Sequence, residues 1–164
     1  MLRGDKAEFA IEIFPRRQIE EQVFGQFFMH VGGHRLGDPS DQTLLEGCRN
    51  WLRDLDADAP MRREPQLDNC DAEDVVRLAW DDVMASSGVD HPRFPSAFRR
   101  FHIAHVGMSA FDRFDVLLML TSTGKSRFVW RHNGGLAHEH FVGQGVTRRV
   151  VAATVLDMNR LFGA

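Results

Sequence analysis

The segment Phe114-Asp115-Val116-Leu117-Leu118-Met119-Leu120 constrains the fold most, because after Asp115 it is apolar at odd and even positions alike. Side chains along a strand alternate between faces, so this run has no face to give to water. It predicts a central strand with both faces covered, in a domain of packed layers.

Strand-like runs lie on either side of it, at 101–106 and 128–131, with Thr121-Ser122-Thr123-Gly124-Lys125-Ser126 as a hairpin loop. Asn133-Gly134-Gly135 then turns the chain into a further strand over 136–142. Earlier, Phe9, Ile11 and Ile13 alternate with Glu8, Ala10 and Glu12, the period of a strand with one buried face. Pro15 and the polar stretch 16–22 read as a connection. Residues 23–31 are rich in aromatic and β-branched side chains and predict a second strand, with Val23, Phe27, Met29 and Val31 facing the core. Gly32-Gly33 can take the positive φ angles of a tight hairpin, which brings back a short third strand over 34–36.

Between these blocks the period changes. Leu44, Cys48, Leu52 and Leu55 recur at helical spacing behind a Ser40 or Asp41 cap. Asp71 caps a second helix with Val76, Ala79, Trp80 and Val83 on its apolar face, stopped by Ser86-Ser87-Gly88. Pro92 and Pro95 fix the crossing loop that follows. A last helix carries Val151, Val155, Met158 and Phe162 and ends beside Gly163. With 164 residues the chain suits one core. The expected architecture is a single α+β domain over 1–164, an antiparallel sheet of about six or seven strands packed by three helices, with Phe27, Leu118 and Trp130 in its core.

The opening Met-Leu-Arg-Gly-Asp-Lys has no apolar run to serve as a signal or a membrane span, so a cytoplasmic protein without membrane contact is expected. Cys48 and Cys70 are too far apart for a short metal motif and too few for a disulfide framework, which predicts two reduced thiols.

Charge is unevenly distributed. Residues 38–90 carry 14 acids and 5 bases, a net −9, while the rest of the chain carries +6. Such a block argues against a nucleic-acid partner and for a basic protein one. Asp74 and Asp81 are seven residues apart, on one side of the second helix, and Asp82 flanks them. A solvated face with acids favouring the helix N-terminus explains Asp71, Glu73 and Asp74 equally well, and Asp81 and Asp82 less well.

Catalytic motifs are sparse. Among eight histidines, His138-Glu139-His140 places two imidazoles on one strand face, and His102 or His132 is a candidate third ligand. A small metal-dependent hydrolase using His102, His138 and His140 is therefore the alternative reading. Solvent-facing histidines explain the same pattern, no HExxH helix is present, and His102 and His105 face opposite sides of a strand. No Gly-x-Ser-x-Gly elbow occurs, and the spacing of Asp112 and Asp115 is one that any loop end shows. Gly32-Gly33 and Gly134-Gly135 lie between strands and read as turns, not phosphate cradles. Thr147-Arg148-Arg149 opens the last helix with two cations where the dipole favours acids, so either a nearby acid compensates or a partner does. These patterns predict no catalytic residue, no metal and no cofactor.

Two blocks carry a family resemblance: Gly4-Asp5-Lys6-Ala7-Glu8-Phe9-Ala10-Ile11-Glu12, and Phe111-Asp112-Arg113-Phe114-Asp115 leading to Phe128-Val129-Trp130-Arg131. Together with the segment 25–37, a strand followed by Gly-Gly and then a Gly-Asp, the chain resembles the immunity proteins of bacterial polymorphic toxin systems, in the group numbered immunity family forty-two. The resemblance covers most of the chain outside 56–99 and supplies no catalytic residues. It implies a cytoplasmic, non-catalytic protein that binds and neutralises a cognate toxin domain. Many such toxins attack nucleic acid and are basic, so Asp74, Asp81 and Asp82 are the expected contacts with a nuclease-type partner.

Overall fold

The structure, a computed structural model, describes residues 1–82, 100–104 and 109–163. Strands β1 (Leu2–Asp5), β2 (Phe9–Ile19), β3 (Gln22–Val31) and β4 (His34–Leu36) form an antiparallel sheet in that order, and β5 (Thr43–Leu44) also pairs with β3. A second antiparallel sheet has the order β6 (Phe114–Leu120), β7 (Ser126–His132), β8 (His138–Val142). Helices α1 (Leu45–Ala57), α2 (Ala72–Val76) and α3 (Val146–Leu161) complete the α+β architecture.

Two apolar clusters explain the continuous run in β6. Val116, Leu118, Phe128 and Trp130 join Phe9, Ile11, Phe27, Met29, Leu52, Val151 and Met158 in the larger core, between the first sheet, α1, α3 and one face of the second sheet. Leu117, Met119 and Val129 point the other way, into a smaller core with Leu67, Val75, Val76, Ala79 and Phe101. Both faces of β6 are thus covered, as expected. Its central position is corrected, because β6 lies at one end of its sheet; among the described residues its outer side meets a bridge between His102 and Leu117 and single backbone hydrogen bonds with Ile103 and Arg62. An apolar run reports covered faces and says nothing about hydrogen-bonded neighbours.

Other differences have local causes. Residues 16–19, expected as a connection, continue β2, with a register shift between Pro15 and Arg17. Proline has no N–H to donate, and the bulge accommodates it. The outer half of β2 is exposed, so no alternation marks it. Strand β1 is exposed throughout and was equally silent. Its Gly4, at φ +95°, could not carry a Cβ, which would lie 2.2 Å from the Phe9 carbonyl oxygen.

Ser40 and Asp41 do not cap α1. The chain enters that helix directly from β5, with Leu44 at the cap position and no side-chain cap. Asp41 instead accepts a hydrogen bond from Ser109 Oγ at 2.6 Å. The strand expected at 101–106 reduces to a helical turn at Arg100-Phe101 and the single bridge at His102. Val83, the Ser86-Ser87-Gly88 stop, the Pro92 to Pro95 loop and His105 lie outside the described residues.

Both cysteines are unbridged, Cys48 buried and Cys70 half-buried. Burial pushes the Cys48 thiol up to about 12. We expect a thiol reagent to modify Cys70 first in the folded protein, with Cys48 reacting only on unfolding. Equal labelling rates for the two would contradict this packing.

Candidate partner-binding surface

Helix α2 begins as its sequence prescribes, with the Asp71 carboxylate accepting from the Asp74 amide at 2.8 Å. Val75, Val76 and Ala79 are buried, which turns the acids outward. The helix then widens into a π turn over Arg77–Asp81. Such a turn takes up one extra residue, so everything beyond it is rotated relative to a regular helix. Asp82, not Asp81, therefore comes round to the side of Asp74.

Arg77 records this phase change. Its Nη2 lies 2.7 Å from Asp74 Oδ1 and its Nη1 lies 3.6 Å from Asp82 Oδ2. Hydrogen bonding to Asp74 raises the pKa of that guanidinium. The expected single-sided set of Asp74, Asp81 and Asp82 is corrected accordingly: Asp74 and Asp82 share Arg77, while Asp81 turns toward the second sheet.

There Asp81 meets Arg131 of β7. Arg131 Nη1 donates to Asp81 Oδ2 at 3.0 Å, and Nε donates to Asp115 Oδ2 at 2.5 Å. The Asp81 hydrogen bond, then that of Asp115, raises the pKa of Arg131 against the opposing effect of burial. Asp115 is thereby committed to Arg131. Asp112 sits in the preceding turn, where its amide donates to the Ser109 carbonyl.

A second strand arginine anchors the chain leading into α2. Arg127 is 2% exposed and uses all three of its nitrogens. Nη1 donates to the Leu67 carbonyl and Nη2 to the Cys70 carbonyl, both at 2.7 Å, and Nε donates to Glu139 at 2.8 Å. Asp68 accepts from the Ser122 amide and Glu73 from the Ala137 amide. The acidic segment is thus docked on one face of the second sheet through polar links. Sequence reasoning missed Arg127 and Arg131. Their signal is two arginines four apart on a strand, flanking Val129 and opposite the apolar face of Phe128 and Trp130.

The histidines do not assemble. His102 stacks on Trp80, ring centroids 4.0 Å apart, on the side of the smaller core. His138 and His140 pair across from Trp130 and Phe128 and so face the other way. His138 lies against His34 and Trp130, and His132 lies against Phe114. Among the described residues no group of three His, Cys, Asp or Glu side chains is placed to hold a metal. The hydrolase alternative is therefore not favoured. At the start of α3, Arg148 meets an acid, with Nε 3.4 Å from Asp56.

The acidic face remains accessible, with the side chains of Asp74, Asp81 and Asp82 exposed at 49%, 44% and 37%. The described residues thus present ion-paired, half-exposed carboxylates on an α+β scaffold. Residues 1–155 match the family described as Immunity protein 42, and the chain belongs to that family. It is an immunity protein, which binds and neutralises a cognate toxin. The fold is also that of CdiI from Burkholderia dolosa, with a TM-score of 0.77 at 16% identity, over 96% of this chain and 99% of that one. No curated protein matches the sequence. Among the described residues no helix is long and apolar enough to cross a membrane.

Proposed function

We propose that the cognate toxin docks on the acidic face of α2, with Asp74, Asp81 and Asp82 as contacts, and that it is a basic, nuclease-type domain neutralised in the cytoplasm. Inhibition is by coverage and involves no catalysis by the immunity protein. The supporting observation is the fixed geometry of these carboxylates, which Arg77 and Arg131 hold while leaving them open to solvent. Asp71 and Glu73 lie beside Asp74 in the sequence and Asp115 shares Arg131 with Asp81, so among the described residues carboxylates outnumber Arg77 and Arg131. A preorganised acidic surface steers a basic partner into fast encounter and loses little side-chain entropy on contact.

The test is association kinetics of the variant carrying Asp74→Asn, Asp81→Asn and Asp82→Asn. Its on-rate for the cognate toxin is expected to fall roughly 10-fold at low salt, with the difference shrinking at high salt. The double variant Asp74→Asn and Asp82→Asn keeps the Arg131 pair intact and separates steering from any loosening of α2. On-rates unchanged under both salt conditions would reject the docking face.

A further inference from the structure

Among the described residues the two sheets have four edges, and three of them are occupied or blunted. The outer side of β6 is bridged to His102 and bonded to Ile103 and Arg62. Strands β4 and β5, which share the side of β3 away from β2, have only three and two residues. Strand β1 is interrupted by Gly4 at φ +95°, outside the range of extended backbone. Short strands, local irregularities and covering segments all keep a sheet edge from pairing with another chain. Strand β8 has none of these devices. Its five residues pair with β7 in unbroken register, from His138 opposite Trp130 to Val142 opposite Ser126. It contains no proline and no lysine, and its one acid, Glu139, is turned to Arg127 at 2.8 Å. Among the described residues, no backbone group of these five bonds to anything but β7. Alternate residues of an antiparallel strand direct N–H and C=O away from the paired neighbour, so β8 offers a row of free donors and acceptors.

Large apolar side chains flank that edge. Phe141 is 44% exposed, and Leu136, in the connection before β8, is 78% exposed. Phe141 stands opposite Arg127 and Glu139 opposite Val129, so both project from the face of the second sheet on which α2 packs. The edge is also continuous with α2. The Ala137 amide, one residue before the strand, donates to Glu73 at 2.7 Å, which fixes Leu136 beside the acidic helix.

We propose that an extended segment of the cognate toxin pairs with the free edge of β8 and extends the second sheet by a fourth strand, with Leu136 and Phe141 as its apolar anchors. The occupant is the toxin because that is the partner of an immunity protein, and its approach beside α2 rests on the docking face proposed above. The two features divide the work. Carboxylates on α2 steer the encounter, while main-chain hydrogen bonds and buried apolar contacts hold the complex together. Side chains alternate along a strand, so the incoming segment carries an apolar residue against Phe141 and a basic or polar one two positions away, against Glu139.

The test is residue-resolved amide hydrogen exchange of the whole protein, free and bound to the cognate toxin domain, together with dissociation rates of Leu136→Ser and Phe141→Ser. Strand addition predicts that alternate amides of residues 138–142, those free before binding, slow by about 10-fold or more, while those already bonded to β7 change less. Each Ser variant is expected to dissociate about 10-fold faster, with its on-rate at low salt within about 2-fold of the parent. Leu136 is so exposed that Leu136→Ser should melt with the parent, and a faster off-rate in that variant reports lost contact and not misfolding. Alternating protection combined with unchanged on-rates for the triple Asp→Asn variant would keep the strand edge and reject the α2 face. Slower on-rates for the triple variant, with β8 amides unprotected and Leu136→Ser dissociating like the parent, would keep the α2 face and overturn the added strand. Protection without alternation would mean coverage by a loop or helix, and it too would overturn the proposal.

Discussion

Replacing Arg127 with Ala is expected to lower the unfolding free energy by about 3–5 kcal/mol, as breaking a buried charge pair typically does. The side chain is 2% exposed and ties three segments together, at Leu67, Cys70 and Glu139. Its removal leaves the Leu67 and Cys70 carbonyls without their donor, and an unsatisfied buried group costs roughly 1–3 kcal/mol. The Glu139 carboxylate, 2.6 Å from Nη2, loses its counter-ion as well. Arg127→Lys retains the charge but cannot serve three directions at once, so it should recover only part of the loss. Urea denaturation with matched m-values measures the change. A loss below about 1 kcal/mol for Arg127→Ala would mean that the approach to α2 is not held by this side chain.

The same arginine shows where sequence reasoning stops. Strand β7 was legible from Phe128 and Trp130, whose alternation predicts one buried face, and that face is buried. Arg127 and Arg131 occupy the opposite face, and alternation alone assigns a charged position to solvent. Leu67, Cys70 and Glu139 around Arg127, and Asp81 and Asp115 around Arg131, reverse that assignment. The partner of a buried charge is a tertiary fact.

Helix α2 shows a second limit. Its cap at Asp71 and its apolar positions Val76 and Ala79 were legible, because capping and periodicity are local. The phase of Asp81 and Asp82 was not, since a π turn inserts a residue without any change in composition. The three aspartates expected on one side of the helix are therefore divided by that turn. Arg77, bridging Asp74 and Asp82 across that turn, is its visible consequence. In the first sheet, the inner half of β2 and residues 27–31 of β3 were legible, where nearly every residue is buried. The exposed half of β2 and all of β1 were not, because a strand with no buried face carries no period.

Phe27→Ala is expected to cost about 3–5 kcal/mol, the usual range for emptying a buried aromatic site. Phe27 has no exposed surface and makes edge-on contacts with Trp51 of α1, at 5.8 Å between centroids, and with Phe111, at 6.1 Å. It therefore joins the middle of the first sheet to a helix and to the turn that leads into the second sheet. Trp51 is itself fixed by its indole N–H, which donates to the Ile103 carbonyl at 2.7 Å, so it cannot swing freely into the vacated space. A site that cannot collapse keeps its cavity, and the cost rises with the volume left. Phe14→Ala provides the comparison, because Phe14 is 39% exposed on the outer half of β2 and should cost much less, about 1 kcal/mol. Neither residue lies on α2, so the folded fraction of each variant is expected to bind the toxin with unchanged affinity. Equal losses of stability for Phe27→Ala and Phe14→Ala would show that the larger core is not centred on Phe27, and weakened binding by folded Phe27→Ala would place the toxin-docking surface on the first sheet and not on α2.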